Sequence, residues 1–194
     1  MLINKLRLSK SYPYFSNMKK LKLDELNRID IKTFKEVEKT PIVFVLDNVR
    51  SAHNVGAAFR TSDAFACKKL VLCGITAQPP HRDIHKTAIG ATASVDWIYY
   101  KETKSAIKAL KEEGYKVYAI EQVDTPILLH EVSVQKDQQY ALIMGNEVDG
   151  VADEVIALAD GVIEIPQFGT KHSFNVSVTM GIVAWEFVKK IKLV

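Results

Sequence analysis

An α/β fold, built on a mostly parallel sheet covered by helices, is predicted by three features of this sequence. Short β-branched apolar runs recur along the chain, helical patterns separate them, and the central runs lack the polar alternation of a half-exposed strand. PIVFVLDNV (41–49) is the first such run and reads as a strand buried on both faces. Val55 to Ala66 follows as helix, with Ala57, Ala58, Phe59 and Ala64 among its residues. Strands are then expected at KKLVLCG (68–74) and VDWIYY (95–100), where Trp97, Tyr99 and Tyr100 pack the strand. Thr103 to Glu113 reads as helix, with Thr103 as its N-cap and Gly114 as its stop. KVYAIEQ (116–122), YALIMGN (140–146) and GVIEIP (161–166) complete the strands. A short helix is expected around Val151–Ala159 and a last one over Ser173–Lys190.

The 194 residues suit one main domain, and 47% hydrophobic with 25% charged residues gives enough apolar material for a core. No stretch nears the ~18 apolar residues of a membrane span. The basic N-terminus has no apolar core or cleavage site of a secretory signal, and Cys67 and Cys73 make no disulfide framework. A cytoplasmic protein with two buried thiols is expected.

The net charge of +3 is unevenly spread. Residues 1–40 hold ten Lys/Arg against five Asp/Glu, whereas 41–194 hold sixteen against eighteen. A basic N-terminal arm (1–40) ahead of the main domain (41–194) suits a polyanionic partner, or serves only as a solubilising tail. Within it, Leu21, Leu23, Leu26 and Ile29 are spaced as a short amphipathic helix. Met18 opens MKKLKLDEL as an alternative start, leaving 1–17 as a flexible arm or an artefact of start choice.

Ligands of open α/β sheets bind beyond the carboxyl ends of the strands, and three strand ends here carry polar and small residues. After the first strand, DNVRSAHNVGAAFRTSDAF places Asn54 as an N-cap and Arg60 six residues on, about 600° of helical rotation away and so on another face. Arg60, among small and apolar neighbours, favours a phosphate or carboxylate partner over solvent. LIMGNEVDGV turns tightly at Gly145-Asn146-Glu147 and Gly150, where Glu147 suits the N-terminus of the helix that follows. IEIPQFGTKHSFNVSVTMGIVAWE ends a strand at Ile165-Pro166, loops through Gly169, and opens a helix with Ser173 as cap and Asn175 in the first turn. No Walker loop or glycine-rich dinucleotide fingerprint is present. His81 and His85 lack the further ligands of a zinc site and are read, with Arg82 and Lys86, as part of an RNA-facing patch.

In this order, the three segments resemble the SpoU (TrmH-like) RNA 2′-O-ribose methyltransferases of the SPOUT superfamily. Asn54, Gly56, Arg60 and Thr61 look like the first motif. Gly145, Asn146, Glu147 and Gly150 look like the Gly-Asn-Glu-x-x-Gly turn, and Ile165, Pro166, Gly169, Ser173, Asn175, Val176, Ser177 and Val178 look like the third. Phe174 stands where the family usually has leucine, and Gln167 where methionine is common. The resemblance, covering about 41–190, implies a C-terminal trefoil knot, a homodimer whose sites span both chains, and S-adenosylmethionine as methyl donor with no metal. It further implies 2′-O-methylation of tRNA or rRNA. Met144, Gly145, Ile165, Phe174 and Asn175 are the implied cofactor-binding positions, with Ile120 and Glu121 at another strand end. Arg60, Asn54, Ser173, Asn175 and Glu147 are the implied catalytic set. Two other readings are a knotted RNA-binding protein without catalysis and an α/β enzyme acting on a small molecule.

Overall fold

The structure is a computed structural model that describes residues 19–193. The alternative start at Met18 and the segment before it lie outside the described residues. The chain divides into two units, one ending at Asp30 and one beginning at Ile31. In the first, the amphipathic helix expected from Leu21 to Ile29 is a single 3₁₀ turn, Leu23–Leu26. It stops at Asn27, whose φ of 48° leaves the helical region. So short an apolar stripe does not by itself sustain a longer helix.

The second unit holds α1 (Ile31–Glu36), β1 (Thr40–Asp47), α2 (Ala52–Ala64), β2 (Cys67–Cys73), α3 (Arg82–Ala88), α4 (Ala91–Ser94) and β3 (Trp97–Tyr100). It continues with α5 (Thr103–Glu112), β4 (Lys116–Ile120), β5 (Ile127–Leu128), β6 (Tyr140–Met144), α6 (Asp153–Ile156), β7 (Gly161–Glu164) and α7 (Val176–Val188). A π-helical turn, Lys189–Leu193, follows α7. All seven strands pair in parallel, in the order β3-β2-β1-β6-β4-β7-β5. The six expected strands are all present. The two-residue β5 and helices α1, α3 and α4 escaped the sequence pattern because each is too short to show a period.

The apolar runs explain the layers. Along β1, Ile42, Phe44 and Leu46 face one core shared with Val55 and Phe59 of α2 and with Met180, Val183 and Phe187 of α7. Val43 and Val45 face the other, shared with Ala106, Ile107 and Leu110 of α5 and Val155 of α6. Helices therefore cover both faces, and burying each large aliphatic side chain contributes about 1.5–3 kcal/mol. Cys67 and Cys73 belong to these cores, and burial pushes both thiols up to about 12. Helix α1 lies against α4 and buries Phe34.

Helix caps differ from expectation at three places. Ser51, not Asn54, caps α2, accepting from Asn54 N at 3.3 Å, so the helix begins three residues early. Asn175, not Ser173, caps α7, accepting from Ser177 N at 2.9 Å. Thr103 does not cap α5. Its hydroxyl donates instead to the buried Asp47 carboxylate, which also receives Asn48 Nδ2 at 2.9 Å. A buried carboxylate left without donors would cost more than a missing cap gains.

Register fixes where a site can form. Leu46 pairs with Met144, Met144 with Ile120, and Ile120 with Ile163, so β1, β6, β4 and β7 end level with one another. The chain runs outward from β1 to β2 and β3, then crosses to β4, and returns to insert β6 between them. The crevice at such a reversal is where α/β sheets bind ligands.

Candidate active site

Beyond β6 the chain makes a compact turn. Asn146 Oδ1 accepts from Val148 N and Asp149 N, both at 2.9 Å, and Asn146 and Gly150 exchange backbone hydrogen bonds of 3.0 and 3.2 Å. The glycines are required by this closure. A Cβ on Gly145 would stand 2.1 Å from the Gly150 carbonyl carbon. Gly150 has φ of 67°, and a Cβ there would meet Glu121 Oε2 at 2.0 Å. Glu121, past the end of β4, holds this turn by accepting from Val151 N at 2.9 Å, and its other oxygen accepts from Gln122 N at 2.8 Å. Gln122 Nε2 in turn donates to the His172 carbonyl at 2.6 Å. The β4, β6 and β7 loops are thereby tied together.

These loops enclose a cavity of about 500 Å3. Ile120, Met144, Ile163, Ile165 and Phe174 supply apolar lining, while Glu121, Glu147, Ser173 and Asn175 supply polar groups, and Gly145 and Gly150 expose backbone. All seven positions implied as cofactor-binding line it: Ile120, Glu121, Met144, Gly145, Ile165, Phe174 and Asn175. Volume, apolar walls and a few convergent polar groups fit a small organic ligand that carries polar groups.

On one side the cavity meets the start of α2. Glu147 Oε2 accepts from Arg50 N at 2.9 Å, and Oε1 accepts from Ser51 N at 3.1 Å and from Asn54 Nδ2 at 2.7 Å. The carboxylate thus sits at the N-terminus of α2, not of the helix that follows it in sequence, because the tight turn directs it across the sheet. Partial burial works against the charge. The hydrogen bonds from Arg50 N, the Asn54 side chain and Ser51 N outweigh that penalty and hold the carboxyl below its ordinary value. Asn54 is oriented from both ends, since its Oδ1 accepts Asn175 Nδ2 at 3.2 Å. Asn175 Oδ1 meanwhile accepts Ser177 N and Ser177 Oγ at 2.9 and 2.6 Å.

Asn54, Glu147 and Asn175 therefore form one network beside the cavity, and Ser173 lines it. Arg60 is not among them. It stands two turns along α2, exposed, with no side-chain hydrogen bond among the described residues. Gly56 serves packing: a Cβ there would lie 2.0 Å from Thr87 Oγ1 and 2.4 Å from the Ile84 carbonyl, so it permits α3 to lie close on α2. Gln122 joins the site without any sequence signal beyond its place after a strand. His81 Nδ1 caps α3, and no group of three potential metal ligands occurs among the described residues.

A doubly covered parallel sheet with its cavity at the strand ends, closed by Gly-Asn-Glu and Asn-Val-Ser segments, defines a class shared with known proteins. Residues 41–185 match the SpoU rRNA Methylase family, and the chain belongs to it. It is 30% identical to the 23S rRNA (guanosine-2′-O-)-methyltransferase RlmB of Vibrio parahaemolyticus, over 86% of this chain and 66% of that protein. It is 32% identical to the tRNA (guanosine(18)-2′-O)-methyltransferase of Thermus thermophilus, over 84% of this chain and 81% of that one. The chain thus spans slightly under two thirds of the length of RlmB. Among solved structures, the AdoMet-bound rRNA methyltransferase of Sinorhizobium meliloti superposes with a TM-score of 0.73 at 23% identity, covering 83% of this chain and 61% of that one. The Aquifex aeolicus TrmH/SpoU tRNA modifying enzyme gives 0.72 at 26% identity, covering 82% and 81%.

Proposed function

We propose that this protein transfers a methyl group from S-adenosylmethionine to a ribose 2′-hydroxyl of tRNA or rRNA. The observation that carries this reading is the convergence of three distant segments, around Asn54, Glu147 and Asn175, on one cavity at the strand ends. The named relatives act on guanosine in 23S rRNA and in tRNA, which supports an RNA substrate. When bound, S-adenosylmethionine supplies a methyl group on a sulfonium leaving group. Met144, Gly145, Ile165, Phe174 and Asn175 would hold it, together with Ile120 and Glu121.

The residues' own task is positioning and the handling of one proton. Asn54, Ser173 and Asn175 present neutral donors and acceptors at the cavity edge to orient the ribose. Glu147, engaged by three donors, keeps Asn54 in place. Arg60 acts as a cationic clamp on the ribose or its phosphate and lowers the hydroxyl pKa electrostatically, because guanidinium stays protonated and is a poor base. The proton passes to a phosphate oxygen or water.

Arg60 lies away from the cavity of its own chain, which supports a homodimer in which it completes the partner's site. A surface for such pairing exists on α7, whose outward side carries the apolar residues Val178, Ile182 and Trp185. Val178 and Trp185 are each half exposed, with Gly181 and Ile182 partly exposed between them. The reading includes the C-terminal trefoil knot of the family, residues 1–40 as a basic arm adding sequence-independent RNA affinity, and a cytoplasmic location. No helix of the described residues is long and apolar enough to cross a membrane.

The deciding experiment maps 2′-O-methylated positions in RNA from cells with and without the protein. Loss of a defined ribose methylation, restored by the wild-type chain, is expected. Identical maps would overturn the reading.

A further inference from the structure

Between Pro166 and His172 the chain leaves the cavity and returns, and its base is anchored. Ile165 packs against the core, and the His172 carbonyl is held by Gln122 Nε2 at 2.6 Å. At the tip, Phe168 is 98% exposed, the most exposed large apolar side chain among the described residues. Gln167 beside it and His172 four residues on both line the cavity, so the loop that carries the ring starts and ends at the cavity wall. Lys171, also exposed, makes no ion pair among the described residues.

An aromatic ring wholly in water gains by covering its faces. A protein surface is a poor partner here, because an interface core needs a contiguous apolar patch and the exposed loop that carries Phe168 is otherwise Gln167, Gly169, Thr170 and Lys171. A nucleobase suits it better. Every base has a face to stack on an aromatic ring, and a lysine three residues away can meet the adjoining phosphate.

We infer that Phe168 is a stacking platform for an unpaired base next to the methylated nucleotide, with Lys171 on its phosphate. The inference rests on the RNA methyltransferase reading. It adds a positioning contact that selects RNA with an exposed base at that place, since a paired base has no free face.

The test uses the full chain and unmodified RNA from cells lacking the protein. RNA affinity is read by filter binding, methyl-donor affinity by calorimetry, mass by light scattering, and transfer with labelled donor. Phe168→Ala should weaken RNA binding about tenfold, within the range of base–aromatic stacking. Donor affinity and mass should stay unchanged, and Phe168→Trp should retain binding with its fluorescence quenched by RNA. Lys171→Ala should lower the salt slope of binding by about one. Phe168→Ala binding RNA as wild type does, or losing donor affinity or changing mass, overturns the inference. If wild type binds RNA without transferring methyl and Phe168→Ala still loses affinity, the platform stands and the catalytic reading falls.

Discussion

Glu147 Oε1 accepts the Asn54 side-chain amide at 2.7 Å across 93 positions of sequence, joining the turn after β6 to the first turn of α2. The same carboxylate takes Arg50 N and Ser51 N, so it works as a cap supplied from elsewhere in the chain. Glu147→Gln removes the charge and sets an amide against donors. It should cost about 1 kcal/mol, within the range for a charge at a helix N-terminus, and lower Tm by about 3 °C. The pH dependence has a definite sign. A carboxyl held below its ordinary 4.5 stabilises the fold fully above that pH and loses the contribution as pH falls through the folded value. The Tm gap between wild type and Glu147→Gln should therefore close below about pH 4.5 in thermal melts.

Gly150→Ala separates backbone strain from pocket damage when compared with Gly114→Ala. Both glycines have positive φ, 67° and 85°. A Cβ at Gly114 meets nothing within 4 Å, whereas one at Gly150 strikes Glu121 Oε2. Each should lose about 1–2 kcal/mol to strain in denaturant melts. Gly150→Ala alone should also weaken S-adenosylmethionine binding, by about tenfold for 1.4 kcal/mol of loop displacement, as read by calorimetry.

Arg60→Ala should abolish methyl transfer, with kcat down by about 100-fold or more for the loss of a charge stabiliser, while donor affinity holds. Near wild-type turnover in a labelled-methyl assay would remove Arg60 from the chemistry.

Trp185→Glu places a charge in the exposed apolar face of α7, where the half-exposed indole lies by the Phe65 ring, 6.4 Å away between centroids. Light scattering should show the proposed dimer falling to the 21.8 kDa monomer, with activity lost even though every cavity residue is intact. An unchanged mass would locate the pairing surface elsewhere.

Removing residues 1–30 rather than 1–40 tests the basic arm cleanly, because Phe34 of α1 is buried in the second unit. RNA affinity should drop and its dependence on salt flatten, read as the slope of log Kd against log salt. An unchanged slope would make the segment a passive tail.

Much of the fold was legible in the sequence. Runs such as PIVFVLD and YALIM are apolar at successive positions, short, and bounded by turn residues, as strands covered on both faces are, so six strands and their parallel class follow from composition and spacing. The site segments were legible too, since Gly145 and Ile165 follow strand ends, Asn175 opens the last helix, and the three line one cavity.

Caps and partners were not. Asn54 and Ser173 each have the right chemistry to cap a helix, but Ser51 and Asn175 do so. The choice depends on which side chains are drawn off by groups arriving from far along the chain: Glu147 and Asn175 claim Asn54, and buried Asp47 claims Thr103. The sequence by itself determined the elements, their class and the segments that carry chemistry, because apolar periodicity and turn residues act locally. Only the tertiary structure decided which helix Glu147 caps, that Arg60 stands apart from the cavity, and that Phe168 projects into water. Those outcomes depend on register and approach between segments tens of residues apart, and a hydrogen bond a few ångströms long carries no trace of itself in linear spacing.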